Sequence, residues 1–405
     1  MNAPAREINW KKNLFFLWLS QILSMAGFAA VMPFIPIYLR DHLHIEDEQM
    51  RGLWVSAFNF FGLFSFCLSS PLWGVLADRY GRKLMLLRAN YVSGILFPCL
   101  ILAPNVIVLI IIRFFISAFS GTVTAAQTLV VTNTPEAHHG FALGTLSTAL
   151  WSGNMAGFLA GGLIVNYFGF AWAFMICGIL YLAGGVLVQF FVDENFVRAE
   201  VPRKGAKKQG MLSGFSAGIW IILLLFVMMG IARRFDEPYI AMMVEKIHGV
   251  ENTACYTGWI SALAAAGGIL SGVLIGRLCD RYSPQKIALP SLLVSAATML
   301  LQAYAMSLTL FGGARFLNFL AAGGLEPAFQ TMLSRSSPES RRGVLFGLAS
   351  SLRMIGILLS SLFGGVVIYF FGTRNIFLVG AFLFLVLVPA LFLATKYMNN
   401  TKQQN

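Results

Sequence analysis

Charged residues are scarce in this sequence and make up 11% of its 405 residues. Soluble globular domains carry about 25% charged residues, so this composition argues against a soluble protein. The five cysteines are scattered without CxxC spacing, which favours neither a disulfide framework nor a metal site. The sequence also lacks Walker A and HExxH motifs, so we expect a protein that is not an enzyme and needs no cofactor or metal.

Long apolar runs occupy most of the chain instead, and 58% of all residues are hydrophobic. Residues 13–39, 142–164 and 375–394 are examples. A helix needs about 20 mostly apolar residues to cross a bilayer, and roughly twelve such runs can be counted. The sequence therefore predicts an all-α integral membrane protein with about twelve transmembrane helices.

The net charge of +12 follows the order of these runs. With alternating crossings, 20 of the 29 Lys and Arg residues fall on the side of the N-terminus, four on the opposite side and five within apolar runs. Positive residues stay in the cytoplasm during insertion, so both termini are predicted to be cytoplasmic. The basic excess is thus interpreted as a topology signal, and no nucleic acid is expected as a partner.

The chain repeats itself with a nearly constant spacing. Arg113-Phe114 returns as Arg315-Phe316, 202 residues later, and glycines of the fifth run return 203 residues later in the eleventh. We therefore predict two parallel six-helix bundles, 1–192 and 211–405, joined by a cytoplasmic linker at 193–210. Parallel repeats around a central cavity are an architecture of transporters.

One repeated segment carries a family resemblance. Gly74-x-Leu-Ala-Asp78-Arg79-x-Gly-Arg82-Lys83 resembles the signature that follows helix 2 in the major facilitator superfamily, and a weaker copy contains Asp280 and Arg281. The resemblance, closest to twelve-span drug:proton antiporters, implies that these residues latch the cytoplasmic gate. Gly74 is expected to let two helices approach closely, and Asp78 to meet the positive N-terminus of a neighbouring helix. Alternatively, the basic residues only fix the topology.

The fifth apolar run resembles the antiporter signature of the same superfamily. Its four glycines, Gly153, Gly157, Gly161 and Gly162, are predicted to form a smooth face for tight helix packing. The proline of the signature is Phe158 here, and this departure counts against antiport but not against transport.

Ionisable residues within the apolar runs are the candidates for binding and coupling, because each costs about 2.5–3.5 kcal/mol to insert. They are Arg113, Arg233, Arg234, Asp236, Glu237, Arg315, Glu326 and Arg353, with Gln127, Asn154, Asn318 and Gln330 as uncharged candidates. The resemblance implies a role in proton coupling for Arg113. Spacing predicts that Arg233 meets Asp236 and Glu237, and that Arg234 meets Glu237. This cluster either neutralises itself or faces the cavity, where its arginines hold an anionic group.

These observations favour a secondary active transporter of the inner membrane that exports small amphipathic molecules by alternating access, driven by the proton gradient. An alternative is a proton-coupled transporter that imports or exports an anionic, carboxylate-bearing solute such as a metallophore, and a remote alternative is a non-transporting membrane receptor. The expected partners are a small-molecule substrate and the lipid bilayer, with the monomer as the functional form.

Overall fold

The computed structural model describes residues 9–196, 217–337 and 341–403. These residues form twelve helices that are long and apolar enough to cross a membrane, which confirms the predicted fold class. The helices are α1 (Trp10–Asp41), α2 (Glu48–Tyr80), α3 (Arg82–Leu102), α4 (Val106–Asn133), α5 (Glu136–Phe168), α6 (Phe170–Phe191), α7 (Ala217–His248), α8 (Thr253–Arg281), α9 (Pro284–Ala303), α10 (Leu308–Ser336), α11 (Arg342–Phe371) and α12 (Thr373–Gln403). Most of the predicted linker, 193–210, lies outside the described residues.

Helices α1 and α7 are interrupted at equivalent places in the two repeats. A 3₁₀ turn at Met32–Phe34 divides α1, and another at Glu237–Tyr239 divides α7. Each turn contains a proline, Pro33 or Pro238, which cannot donate the hydrogen bond that a continuous helix requires. The regular helix of α7 therefore stops at Arg234 and resumes at Ile240.

Helices α4 and α10 are interrupted as well. The first part of α4 ends at Ala118 and the second begins at Thr122, after Gly121 with a φ of +120°. The two parts of α10 end at Ala322 and begin at Leu325, on either side of a glycine pair. A break inside a membrane helix frees backbone groups that neighbouring side chains must satisfy.

The described residues fall into two compact units. The first comprises the described parts of Met1–Glu46, Phe58–Pro202 and Asn252–Ala262, and the second comprises the remainder. The first turns of α2 thus pack with the second unit, and the first turns of α8 pack with the first. The units are defined by which residues pack together, whereas the predicted bundles are continuous stretches of the sequence. The predicted boundaries at 192 and 211 therefore stay a prediction.

The glycines of α5 lie at close backbone contacts with neighbouring helices. A Cβ on Gly153 would lie 2.7 Å from the Ile22 carbonyl oxygen of α1. Farther along, Gly157 and Gly161 meet the α1 backbone in the same way, and a Cβ on Gly162 would lie 2.8 Å from the Ala254 carbonyl oxygen of α8. No larger residue fits at these positions without moving a backbone.

Candidate functional site

Three charged candidates of the second unit, Arg233, Glu326 and Arg353, gather where α7, α10 and α11 meet. Two glycines bring α7 and α11 together: a Cβ on Gly356 would lie 3.2 Å from the Cα of Gly230. Arg233 and Arg353 each stand three residues from one of these glycines, about one helical turn away. The close backbone contact therefore fixes the distance between the two arginine positions.

Glu326 lies between these two arginines. Its Oε2 is 3.4 Å from Nη1 of Arg233, and its Oε1 is 3.5 Å from Nε of Arg353. Glu326 is in the first turn after the break of α10, where the positive end of the helix favours a negative charge. The three side chains remain 23%, 27% and 32% exposed for Arg233, Glu326 and Arg353. Both contacts are long and single, so this carboxylate can be exchanged for another group more easily than a closely bonded one.

A second ion pair lies deeper in the same unit. Arg315 of α10 donates to Asp236 in the break of α7, and its Nη1 also lies 3.2 Å from Oε1 of Gln302. Only 2% of the Arg315 side chain and 3% of the Asp236 side chain are exposed. A charge pair buried this completely is held by its partners and is out of reach of an exchanging ligand, which makes it a structural tie between α7, α9 and α10.

The pairing predicted along α7 is correct for one arginine and wrong for the other. Arg234 donates to Glu237, three residues later, as the spacing predicts. Arg233 does not meet Asp236 or Glu237, because the first part of α7 ends at Arg234 and the following residues leave the helical path. Its partner is Glu326 instead, from another helix. The cluster therefore neutralises itself only in part.

The first unit contains one buried arginine at the equivalent of Arg315. Arg113 is 7% exposed, and its guanidinium carbon lies 5.5 Å and 5.3 Å from the ring centroids of Phe28 and Phe58. No carboxylate among the described side chains forms an ion pair with it. Gly62 of α2 makes room for it, since a Cβ there would lie 2.8 Å from Nε of Arg113. The equivalent arginines of the two repeats thus have different surroundings: Arg113 lies near aromatic rings, and Arg315 is paired with a carboxylate.

The uncharged candidates are dispersed and do not join this cluster through any hydrogen bond seen in the described residues. Gln127 is exposed, whereas Asn154 and Gln330 are half-buried. Asn318 is buried and donates to the Ser295 carbonyl oxygen and the Thr298 hydroxyl, both at 3.1 Å. Asn318 is therefore a link between α9 and α10.

The predicted gate differs from expectation in two contacts. A Cβ on Gly74 would meet no heavy atom of the described residues within 4 Å, so the close helix approach predicted at Gly74 is wrong for this part of the structure. Asp78 forms an ion pair of 3.5 Å with Arg82. The carboxylate at the N-terminus of α3 is that of Glu194, which accepts hydrogen bonds from the backbone N–H groups of Arg82 and Lys83 at 2.8 and 2.9 Å.

The other gate residues contribute little contact. Arg79 and Arg281 are exposed, and the guanidinium carbon of Arg79 lies 5.4 Å from the ring centroid of Tyr80. The side chain of Asp280 lies outside the described residues. Sequence reasoning missed Glu194 because it stands at the start of the polar segment that was assigned to the linker.

Comparisons with known proteins identify the family of this chain and its structural relatives. Residues 17–255 and 238–404 match the family model of the Major Facilitator Superfamily. The chain is 33% identical to the multidrug resistance protein MdtG of Citrobacter koseri, with 94% of both chains covered, and 34% identical to MdtG of Escherichia coli, with 92% of both covered. Among solved structures it is similar to a bacterial homologue of the human lysosomal transporter Spinster (TM-score 0.75, 17% identity, 99% of both chains). It is also similar to the nucleoside transporter NupG (TM-score 0.76, 13% identity, 96% of this chain and 100% of that one).

Proposed function

This chain belongs to the major facilitator superfamily, and we propose that it is a secondary active transporter that exports small amphipathic molecules in exchange for protons. Its similarity to the multidrug resistance protein MdtG over most of both chains supports export of this substrate class. The twelve apolar helices fit a multi-pass membrane protein. The distribution of Lys and Arg supports an inner-membrane location with both termini in the cytoplasm.

The observation that carries the coupling part of the proposal is the position of Glu326. It is a carboxylate within the membrane, it stands beside two helix breaks, and it is exposed enough to exchange a proton with water. Protonation removes its charge and releases Arg233 and Arg353 from it. The contact between α7, α10 and α11 then changes with the protonation state, which is how a proton can bias a conformational equilibrium.

A second candidate function is transport of an anionic, carboxylate-bearing solute. It is supported by the net charge of the ion pairs that Glu237 and Glu326 form with arginines. The three arginines, Arg233, Arg234 and Arg353, outnumber the two carboxylates and leave one net positive charge. A substrate anion and the Glu326 carboxylate compete for the same arginines. A proton on Glu326 therefore strengthens binding of an anionic substrate. In an exporter that exchanges substrate for protons, by contrast, a bound proton must weaken substrate binding.

The pH dependence of binding separates the two candidates. Purified protein in proteoliposomes is tested for flux of a lipophilic cation such as ethidium, a neutral amphiphile and an aromatic carboxylate, with and without an imposed pH gradient. If the protein exchanges substrate for protons, proteoliposomes with an acidic interior take up substrate through the inside-out molecules. Substrate binding to the protein then weakens at acidic pH. Binding that strengthens in acid and is limited to the carboxylate supports the second candidate. No gradient-driven flux of any of the three contradicts both.

A further inference from the structure

A cavity of about 420 Å³ lies between α8 and α9 in the second unit. Its lining consists of Ile275 and Leu278 from α8, Tyr282 from the turn after α8, and Lys286, Ile287, Pro290 and Ser291 from α9. The walls are mainly apolar, and Leu278, Tyr282 and Pro290 are exposed, so the cavity opens to the outside of the unit. Tyr282 and Lys286 mark one end of it, at the turn between the two helices. Ile275 stands seven residues before Tyr282, about 10 Å deeper along α8.

The internal repeat explains why this cavity exists. With the 202-residue spacing that holds for Arg113 and Arg315, Ile275 is the counterpart of Trp73 and Pro290 is the counterpart of Arg88. In the first unit these two residues fill the equivalent space, since the guanidinium carbon of Arg88 lies 3.5 Å from the Trp73 ring centroid. The second repeat replaces both with smaller side chains, and the space stays open.

The large pair of the first unit has a structural task that the second unit performs differently. Trp73 Nε1 donates to the Ala118 carbonyl oxygen at 2.6 Å, and Arg88 Nη2 donates to the Ser120 carbonyl oxygen at 3.1 Å, so both satisfy the break of α4. In the second unit, the break of α10 packs directly on α8.

Two glycines make that direct contact possible. A Cβ on Gly323 would lie 2.6 Å from the Ser271 Cβ, and one on Gly324 would lie 2.9 Å from the Ile275 Cδ1. No side chain has to cross the space between α8 and α9 to reach the break. Because the break of α10 packs directly on α8, no described side chain of the second unit fills the space that Trp73 and Arg88 occupy in the first. The cavity can therefore take a ligand.

We propose that this cavity binds one acyl chain of an anionic phospholipid, whose phosphate is held by Lys286. Apolar walls that open sideways fit a hydrocarbon chain, and a lysine at the mouth complements a phosphate. Tyr282 adds an aromatic ring with a polar tip at the same level, the arrangement found where helices pass from lipid to headgroups. Basic pockets between membrane helices on the cytoplasmic side are known to bind anionic headgroups. The predicted topology puts this end of α8 and α9 on that side.

The test measures lipid binding to delipidated full-length protein by native mass spectrometry, with phosphatidylglycerol and phosphatidylcholine of identical acyl chains. We expect one tightly bound phosphatidylglycerol. Lys286→Gln weakens its binding about fivefold, the effect of roughly 1 kcal/mol for one basic residue near the surface, without changing phosphatidylcholine binding. The matched control is Lys83→Gln, which changes the lysine in the first turn of α3, beside the filled space of the first unit, and leaves the binding of both lipids unchanged.

A filling variant tests the acyl-chain part. Ile275→Trp combined with Pro290→Arg copies the first unit into the second and abolishes tight lipid binding, and Ser291→Phe fills the same cavity if the double variant is not expressed. Retention of the lipid by a folded filling variant overturns the proposal. So does equal binding by the wild type and Lys286→Gln, equal affinity for the two lipids, or displacement of the lipid by millimolar inorganic phosphate alone.

Discussion

Arg315 and Asp236 form an ion pair of which 2% and 3% of the side chains remain exposed. Only the second repeat contains it: aligned on Pro33 and Pro238, the counterpart of Asp236 is Val31. Removing two charges from water costs several kcal/mol per ion, so each residue of such a pair depends on the other. The two repeats thus bury equivalent arginines in different ways: Arg113 lies between aromatic rings in the first unit, and Arg315 lies against a carboxylate in the second.

We expect Asp236→Asn to destabilise the protein by about 3–5 kcal/mol, because it leaves the Arg315 charge buried without a counterion. Thermal unfolding in detergent measures this loss. Glu237→Gln is the matched control, since it breaks a more exposed pair that is worth about 0–1 kcal/mol. Equal stability of the two variants would show that the buried pair contributes no more than the exposed one.

The contact of α7 with α11 yields a second prediction. Gly356→Ala puts a Cβ against the Val227 carbonyl oxygen and 3.2 Å from the Cα of Gly230, so we expect a loss of about 1–3 kcal/mol from overpacking. Gly347→Ala on the same helix is the control, because its Cβ meets no heavy atom within 4 Å. It should leave stability unchanged or raise it by about 0.5–1 kcal/mol. The order of the two unfolding temperatures decides the matter, and the reverse order contradicts the packing account.

Sequence reasoning succeeded where a feature depends on periodicity or on neighbours along the chain. Apolar runs gave the helices, and the three-residue spacing gave the pairing of Arg234 with Glu237. It failed for Arg233, because the partner Glu326 is 93 residues away and is brought close only by the break of α7 and the packing of three helices. Long-range pairs of this kind depend on helix rotation, which the pattern of apolar residues does not determine to within one residue.

The gate motif gives a third prediction. Asp78→Asn removes the charge from an exposed ion pair with Arg82, so we expect normal expression and substrate binding with slower transport. Flux into proteoliposomes and binding at equilibrium are measured on the same preparation. Glu194→Gln is informative beside it, because Glu194 and not Asp78 caps α3. If Asp78→Asn transports at the wild-type rate, the residue is not a latch.

The role of Glu326 gives a fourth prediction. Glu326→Gln cannot change its charge, so we expect accumulation driven by a pH gradient to be lost while exchange of labelled for unlabelled substrate persists. Glu237→Gln, which alters the neighbouring carboxylate but leaves the contacts of Glu326 in place, should retain the response to the gradient. A Glu326→Gln variant that still accumulates substrate in response to pH would reduce this residue to a structural one.

Arg233 and Arg353 test whether the site holds an anionic group. Both share the Glu326 carboxylate at 3.4 and 3.5 Å, and replacing either with Gln removes one charge-assisted hydrogen bond of about 1.5–3 kcal/mol. We therefore expect each variant to weaken binding of an anionic substrate at least about tenfold. Arg234→Gln is the control, because Arg234 is occupied by Glu237 at the more exposed side of the cluster, and it should change the affinity much less. For a neutral or cationic substrate the same variants leave the affinity unchanged or raise it, since they lower a positive charge that repels a cation. Binding measured with a carboxylate and a cation on all three variants distinguishes these outcomes, and unchanged affinity for both contradicts a role of the two arginines in binding.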